Sequence, residues 1–220
     1  MPSRETTGAE ALRRFLRRLP AGLIAGTVLW LVLFRPVLDI GTAKLAETLI
    51  RAFEYPRVTR LVVRDHRAEI RRADFRSSSR IPTVPLTEIH FNTIVLLALY
   101  LALPGPFRLK NLERLFMAWA TLYLTQSLNL LFHVKTLYAL GLGEWSRVHY
   151  SDFSRNFWGF LQYFTDLPGR FSFPFLLWLA YDWERVSALL LRRSGSGETG
   201  SATEKQRQRE GRRRRGRRKR

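Results

Sequence analysis

The chain contains no cysteine among its 220 residues. Disulfides, thiolate nucleophiles and cysteine-ligated metal sites are therefore excluded. Acidic residues are also few, since 18 Asp and Glu stand against 37 Lys and Arg and leave a formal charge of +19. The sequence has no G-x-x-x-x-G-K-[ST] loop, so that type of nucleotide site has no support. A chain this basic favours a polyanionic partner, either nucleic acid or an anionic membrane surface.

Hydrophobic residues make up 46% of the chain and lie almost entirely before residue 192. A membrane-spanning helix needs about 20 mostly apolar residues. Four apolar stretches predict such spans at about 19–40, 90–105, 114–140 and 170–191. Trp and Tyr residues near the segment ends favour a bilayer over the alternative of a soluble helical bundle, because amphipathic rings prefer the headgroup layer.

The arginines predict the orientation of these spans. Basic residues before the first span, between the second and third, and after the fourth place both termini in the cytoplasm. We therefore expect a basic cytoplasmic N-terminus (1–18), a membrane domain (19–191) and a disordered basic tail (192–220). Residues 41–89 and 143–169 would then lie outside, although nine arginines between 51 and 80 oppose that placement of the first outer segment.

The first outer segment has its own pattern. Residues 41–54 place Leu45, Leu49 and Phe53 at helical spacing, which predicts an interfacial amphipathic helix. A β-hairpin is expected at about 55–75, centred on Asp65 and His66, and the prolines that follow exclude a helix before about residue 86. The predicted fold is an all-α integral membrane bundle of about four transmembrane helices, with this interfacial helix and a small external hairpin.

Three polar residues of the third span share one helix face. Gln126, Asn129 and His133 are spaced i, i+3 and then i, i+4, so their side chains project in the same direction. Polar groups within a bilayer usually face a bundle interior or a cavity. Both interhelical hydrogen bonding and a substrate groove explain this face, and either requires it to point inward.

The order of segments resembles the exosortase/archaeosortase superfamily, membrane transpeptidases that process proteins with a C-terminal sorting signal. In that family a Cys motif opens a membrane helix, the next helix carries an Asn and Arg pattern, and a later segment supplies a His. The stretch "EIHFNTIVLLALYLA" stands at the Cys motif, "LNLLFHVKTLYAL" at the second and "SRVHYSDFSRNFWGF" at the third. The family-equivalent positions are His90, Asn92, Asn129, His133 and His149.

The resemblance departs from the family at the nucleophile. A sortase-type reaction stores its acyl group as a thioester on Cys, and neither His90 nor Asn92 replaces that thiolate. The chain is then similar to a Cys-lacking membrane protein that accompanies exosortase H. The resemblance implies a prokaryotic inner-membrane accessory that binds the sortase or its tagged substrates. One alternative is a transpeptidase or hydrolase that uses Thr93 with His90 or His149 as base. Another is a membrane-tethered binder of anionic lipid or nucleic acid that acts through the basic tail.

Metals and polyanions are two further classes of ligand. His90, His133 and His149 stand on three different segments without ligand spacing, so we expect no metal, and no cofactor motif is present. The tail can bind phosphate polyanions, and its attachment to a membrane helix favours anionic headgroups. Nucleic acid is the competing partner, but no aromatic residue is interleaved for base stacking. The tail residues expected at anionic lipid are Arg212, Arg213, Arg214, Arg215, Arg217, Arg218, Lys219 and Arg220.

Overall fold

The computed structural model describes residues 8–73 and 81–191, which are mostly helical and include one small sheet. The chain divides into two units, residues 18–181 and a second unit drawn from both ends of the chain. The first unit contains every side chain of the candidate site. The last described helix, Trp183–Leu191, belongs to the second unit.

The first two helices run on without a break. Helix α1 (Gly8–Leu29) continues through a π-helical turn (Trp30–Phe34) into helix α2 (Arg35–Ala52). Pro36 directly follows the π-helical turn, and the helix continues past it although proline supplies no N–H to the preceding turn. The resulting helix runs from Gly8 to Ala52, and its residues from Glu10 to Ala52 form a 43-residue candidate membrane span.

The helix predicted at 41–54 is present over residues 41–52, but it is the second half of α2 and not a separate element. The face formed by Ala43, Ala46 and Ile50 is buried in the main apolar core. A Cβ at Gly41 would lie 2.8 Å from the hydroxyl of Tyr123. The missing side chain therefore lets α2 approach the later helix that carries Tyr123.

A three-stranded antiparallel sheet follows α2. Strands β1 (Thr59–Arg64) and β2 (Arg67–Arg72) form the predicted hairpin, and the Asp65–His66 turn is confirmed, with φ angles of 47° and 60°. The expected proline-rich link adds a third strand, β3 (Thr83–Pro85), in which Val84 pairs with Ala68 of β2. Sequence reasoning missed it because proline normally argues against a strand, but a strand end at a sheet edge tolerates the missing N–H.

Further helices follow the sheet along the chain. They are α3 (Leu86–Ala102), α4 (Leu109–Thr136) with a π-helical turn (Leu137–Gly141), α5 (Glu144–His149), α6 (Asp152–Phe164) with a π-helical turn (Thr165–Gly169), α7 (Arg170–Tyr181) and α8 (Trp183–Leu191). Residues 143–169, which were expected to lie outside the membrane, are largely helical. Helix α6 continues through its π-helical turn into α7, whereas the predicted segment 170–191 is interrupted at Asp182.

Two glycines bring α1 against α3. A Cβ at Gly22 would lie 2.8 Å from the carbonyl oxygen of Ala98, and one at Gly26 would lie 3.2 Å from that of Ile94. The pair forms a G-x-x-x-G motif, which allows helix backbones to approach closely in apolar surroundings. Any larger side chain at Gly22 would force the two helices apart.

Many large apolar side chains remain exposed on the helices. The first helix and α4 with its π-helical turn are long and apolar enough to cross a membrane, while α3 is a shorter apolar helix. Only 22% of the most apolar window of the first helix is buried. The side chains it exposes include Leu23, Ile24, Val28, Leu31, Val32, Val37 and Ile40.

Candidate functional site

The first polar cluster joins α2, the hairpin tip and α3. Asp39 of α2 is 2% exposed, and its Oδ2 lies 2.6 Å from Nδ1 of His66 in the β1–β2 turn. Its Oδ1 lies 3.4 Å from Nε2 of His90 on α3. This second contact does not have the geometry of a hydrogen bond, so Asp39 and His90 interact through electrostatic attraction. One carboxylate thus connects three elements of the fold.

Gln126 of α4 extends this cluster across the bundle. Its Nε2 donates to Oδ1 of Asn92 at 2.6 Å and to Oγ1 of Thr93 at 2.8 Å. Its Oε1 accepts from Nδ1 of His90 at 3.3 Å. Both amide hydrogens and the carbonyl oxygen are therefore engaged, and all partners lie on α3. Gln126 connects α4 to α3 through three polar contacts.

A second polar cluster surrounds Asp166, in the π-helical turn between α6 and α7. Asn129 Nδ2 donates to its Oδ1 at 3.1 Å, and His133 Nε2 lies 3.0 Å from the same oxygen. Gln162 Nε2 lies 3.0 Å from Nδ1 of His133, so the ring bridges the amide and the carboxylate. Arg170 places NH2 3.7 Å from the same oxygen of Asp166. This cluster fastens α4 to α6 and α7.

A small void separates the two clusters. It has a volume of about 10 Å³ and is lined by Asn92, Gln126, Asn129, Thr165 and Arg170, among others. This is room for about one water molecule. Together the two clusters form a polar seam through an otherwise apolar bundle, in which side chains of different helices bond to one another.

The predicted catalytic residues fall into two separate places. Thr93 is fully buried, and among the described residues its hydroxyl contacts Gln126 and neither histidine. His90 is fully buried beside it on α3, with both ring nitrogens facing Gln126 and Asp39. His149 is exposed at the end of α5, where its ring stacks on Trp145 at 4.3 Å. The structure does not bring Thr93 and His149 together, so it offers no such nucleophile and base pair.

Of the five positions that the sequence resemblance singled out, four fall in these clusters. His90 and Asn92 belong to the Asp39 cluster, Asn129 and His133 to the Asp166 cluster, and His149 to neither. Within the described ranges 8–73 and 81–191, no group of three His, Asp or Glu side chains has the geometry of a metal site. The tail residues expected at anionic lipid lie outside the described residues.

Sequence reasoning missed the two carboxylates that organise the clusters. Asp39 lies inside the first predicted span, where no motif marks it, and Asp166 resembles any other carboxylate near a segment end. A signal does exist for Asp39, since an acid at the end of an apolar run must find a partner to be buried. Its partners lie 27 and 51 residues away along the chain, and no spacing rule connects such distant positions.

Comparison of the chain with protein-family models, curated proteins and solved structures finds no match.

Proposed function

We propose that this protein is a multi-pass membrane protein that acts by binding, as a non-catalytic accessory of an exosortase-type protein-sorting system. Its partner would be the Cys-bearing sortase or the tagged substrates. The observation that carries this proposal is the burial and hydrogen bonding of the residues that stand where the resembling enzymes have their Cys. There, His90, Asn92 and Thr93 are buried and bonded to one another through Gln126. A buried cluster whose polar side chains bond to one another supports a structural role better than attack on a peptide carbonyl.

The membrane assignment is supported by the exposed apolar side chains of the first helix. They run from Leu23 to Ile40, a rise of about 26 Å at about 1.5 Å per residue. The hydrocarbon core of a bilayer is about 30 Å thick. Beyond Ile40 the same helix is covered by β1 and α4, as expected of a part that lies outside the lipid. The other crossings would be α3, α4, and the continuous helix formed by α6 and α7.

The polar seam also supports this assignment. Its amides and carboxylates pair with one another between helices, as polar groups do in transmembrane bundles. Asp39 lies at the last exposed apolar turn of the first helix, so the Asp39 cluster would sit at the outer boundary of the hydrocarbon. The hairpin, joined to it through His66, would then lie outside the membrane.

The test is genetic complementation in the cell that carries this protein and its sorting system. Cells lacking the protein are expected to accumulate unprocessed tagged substrates, and the wild-type chain should restore processing. Thr93→Val removes the hydroxyl but keeps the side-chain shape, so an accessory should still restore processing when its level in the membrane matches wild type. Thr93→Ser and Thr125→Val are the controls, since one keeps a hydroxyl at the site and the other removes a neighbouring one.

Two results would count against the proposal. If Thr93→Val reaches the membrane at normal level but abolishes processing while Thr93→Ser restores it, the hydroxyl is chemically required and the enzyme alternative is favoured. If processing is normal without the protein, and it crosslinks to neither the sortase nor a tagged substrate in native membranes, the accessory role is wrong.

A further inference from the structure

An exposed row of phenylalanines follows one side of α6. Its members are Phe153, Phe157, Phe160 and Phe164, whose exposed fractions are 79%, 43%, 61% and 43%. These four residues, the Phe row, point away from the bundle. The opposite side of α6 faces α4, because Gln162 lies 3.0 Å from His133 and the ring of Trp158 packs against that of Phe132. The row is thus distinct from both polar clusters.

The outer half of the Phe row lies beyond the part of the bundle that the proposed membrane covers. Gln126 belongs to the cluster placed at the outer boundary of the hydrocarbon. Thr136 follows it on α4 after a rise of about 15 Å, and the Thr136 hydroxyl donates to the carbonyl of Trp158 at 2.8 Å. The headgroup layer adds only about 5–8 Å on each side of the hydrocarbon. Lipid therefore does not reach Phe157 and Phe153.

The spacing of the Phe row is that of a coiled-coil seam. Successive members are four, three and four residues apart, which is the alternation of d and a positions in a heptad repeat. Neighbouring rings stack in pairs, Phe153 on Phe157 at 6.2 Å and Phe160 on Phe164 at 6.1 Å between centroids. A heptad repeat keeps one face of a helix turned toward a second helix that runs alongside it. The pattern therefore indicates that another helix covers the row.

The residues that flank the Phe row carry no charge. They occupy the e and g positions of the heptads and are Ser154, Asn156, Leu161 and Tyr163. The two charged residues of α6, Asp152 and Arg155, pair with each other at 3.2 Å. Although the chain has a formal charge of +19, this neutral strip can meet a copy of itself without like-charge repulsion. A strongly charged partner would gain nothing from it.

The exposed area of the Phe row also suits a second copy. At about 200 Å² per phenylalanine side chain, the four residues expose about 450 Å². A symmetric pair would bury twice that area before the flanking residues are counted, close to the ~1,000 Å² that a specific interface needs. Two copies inserted in one membrane share the same orientation, so their α6 helices run parallel and each phenylalanine can meet its own counterpart.

We propose that the Phe row is the interface of a symmetric dimer, in which the α6 helices of two copies pair in parallel. The parallel orientation rests on the membrane assignment proposed above. The dimer covers aromatic rings that neither lipid nor the described part of the chain covers.

The first test is disulfide crosslinking of the full chain in its native membrane, since the chain has no cysteine of its own. Phe153→Cys and Phe160→Cys, both at d positions, should give disulfide-linked dimers on mild oxidation, because facing d residues approach closely. Asp152→Cys is the matched control, since the Asp152 side chain is 95% exposed next to Phe153 but lies off the seam. It should crosslink about tenfold less at equal membrane level, because a disulfide does not form between Cα atoms much beyond 7 Å.

The second test measures self-association without cysteine, by sedimentation of the full chain in a mild non-ionic detergent. Salt at about 0.5 M suppresses bridging of copies through the basic tail, and wild type should still sediment as a dimer. Phe160→Glu should raise the dimer dissociation constant by about tenfold or more, because it replaces a central aromatic contact with two like charges. Phe53→Glu, at a phenylalanine that is 83% exposed at the end of α2, should leave the constant unchanged.

Several results would overturn the proposal. Equal crosslinking of Asp152→Cys and Phe153→Cys would indicate random collision, and an unchanged dissociation constant in Phe160→Glu would place any dimer interface elsewhere. A wild-type chain that stays monomeric in detergent and fails to crosslink in membranes would remove the dimer. If Phe160→Cys crosslinks to a different protein and not to its own copy, a heterologous partner covers the row. None of these readouts requires a sortase, so failure here is distinguishable from failure of the accessory role.

Discussion

Replacing Gln126 by leucine tests whether the polar seam holds the bundle together. Leucine has nearly the volume of glutamine but no hydrogen-bonding group. The change removes the hydrogen bonds to Asn92, Thr93 and His90, at 2.6, 2.8 and 3.3 Å, and leaves three buried polar groups without their partner. Because all three lie on α3, the change should weaken the attachment of α3 to α4.

The size of the effect follows from these three hydrogen bonds between helices. Interhelical hydrogen bonds in membrane bundles average ~0.6 kcal/mol and reach ~1.7 kcal/mol each. Three of them give a loss of about 2–5 kcal/mol in the free energy of unfolding. At about 1.4 kcal/mol per factor of ten, the unfolded fraction should rise by at least about twentyfold.

The assay is equilibrium unfolding in bicelles by titration with a denaturing detergent, followed by tryptophan fluorescence. Thr125→Val is the matched control, because the Thr125 hydroxyl donates only to the carbonyl of Leu122 in its own helix. That variant should remain within about 0.5 kcal/mol of wild type, as most changes that break no interhelical contact do. If Gln126→Leu is no less stable than Thr125→Val, the seam does not stabilise the bundle and the argument from its hydrogen bonds fails.

Two further predictions concern the packing of the long first helix. Gly22→Ala should lower the free energy of unfolding by ~1–3 kcal/mol in the same assay, because its Cβ would clash with the backbone of α3. The control Gly159→Ala should be neutral or stabilising, because its Cβ would make an ordinary contact at 3.5 Å. Equal effects of the two changes would contradict the close approach of α1 to α3. Asp39→Asn should weaken the contact of residue 39 with His66 and so loosen the hairpin tip. Amide hydrogen exchange should then become faster in β1 and β2 and stay unchanged in α6. If the exchange rates of β1 and β2 match those of wild type, Asp39 does not anchor the hairpin.

The elements that local chemistry specifies were predictable from the sequence. The Asp65–His66 turn follows from turn preferences, and the geometry of proline excludes a helix before about residue 86, although α3 begins at Leu86, earlier than the predicted span at about 90. The i, i+3 and i, i+4 spacing of Gln126, Asn129 and His133 placed them on one face of α4, where Gln126 and Asn129 are buried. Each of these features depends on residues close together in the chain.

What could not be predicted depends on contacts between distant residues. The continuation of the first helix through residues 41–52 depends on Gly41 meeting Tyr123 and on burial of a face made largely of alanines, which carries a weak hydrophobic signal. The third strand depends on pairing with β2, which overrides the usual reluctance of proline. The two clusters depend on which helices become neighbours, and no single helix encodes that.

The three π-helical turns have a consequence for how this chain tolerates changes in length. A π-helical turn amounts to one extra residue inserted into an α-helix. Losing one residue from Thr165–Gly169 would restore regular α-helical winding and leave α7 in nearly its present orientation, because the wider turn already absorbs the extra residue. The same deletion inside α6 would instead rotate everything beyond it by about 100°, and Arg170 would then face away from Asp166. The π-helical turns are therefore the places in these helices where the loss of one residue disturbs the rotational register least.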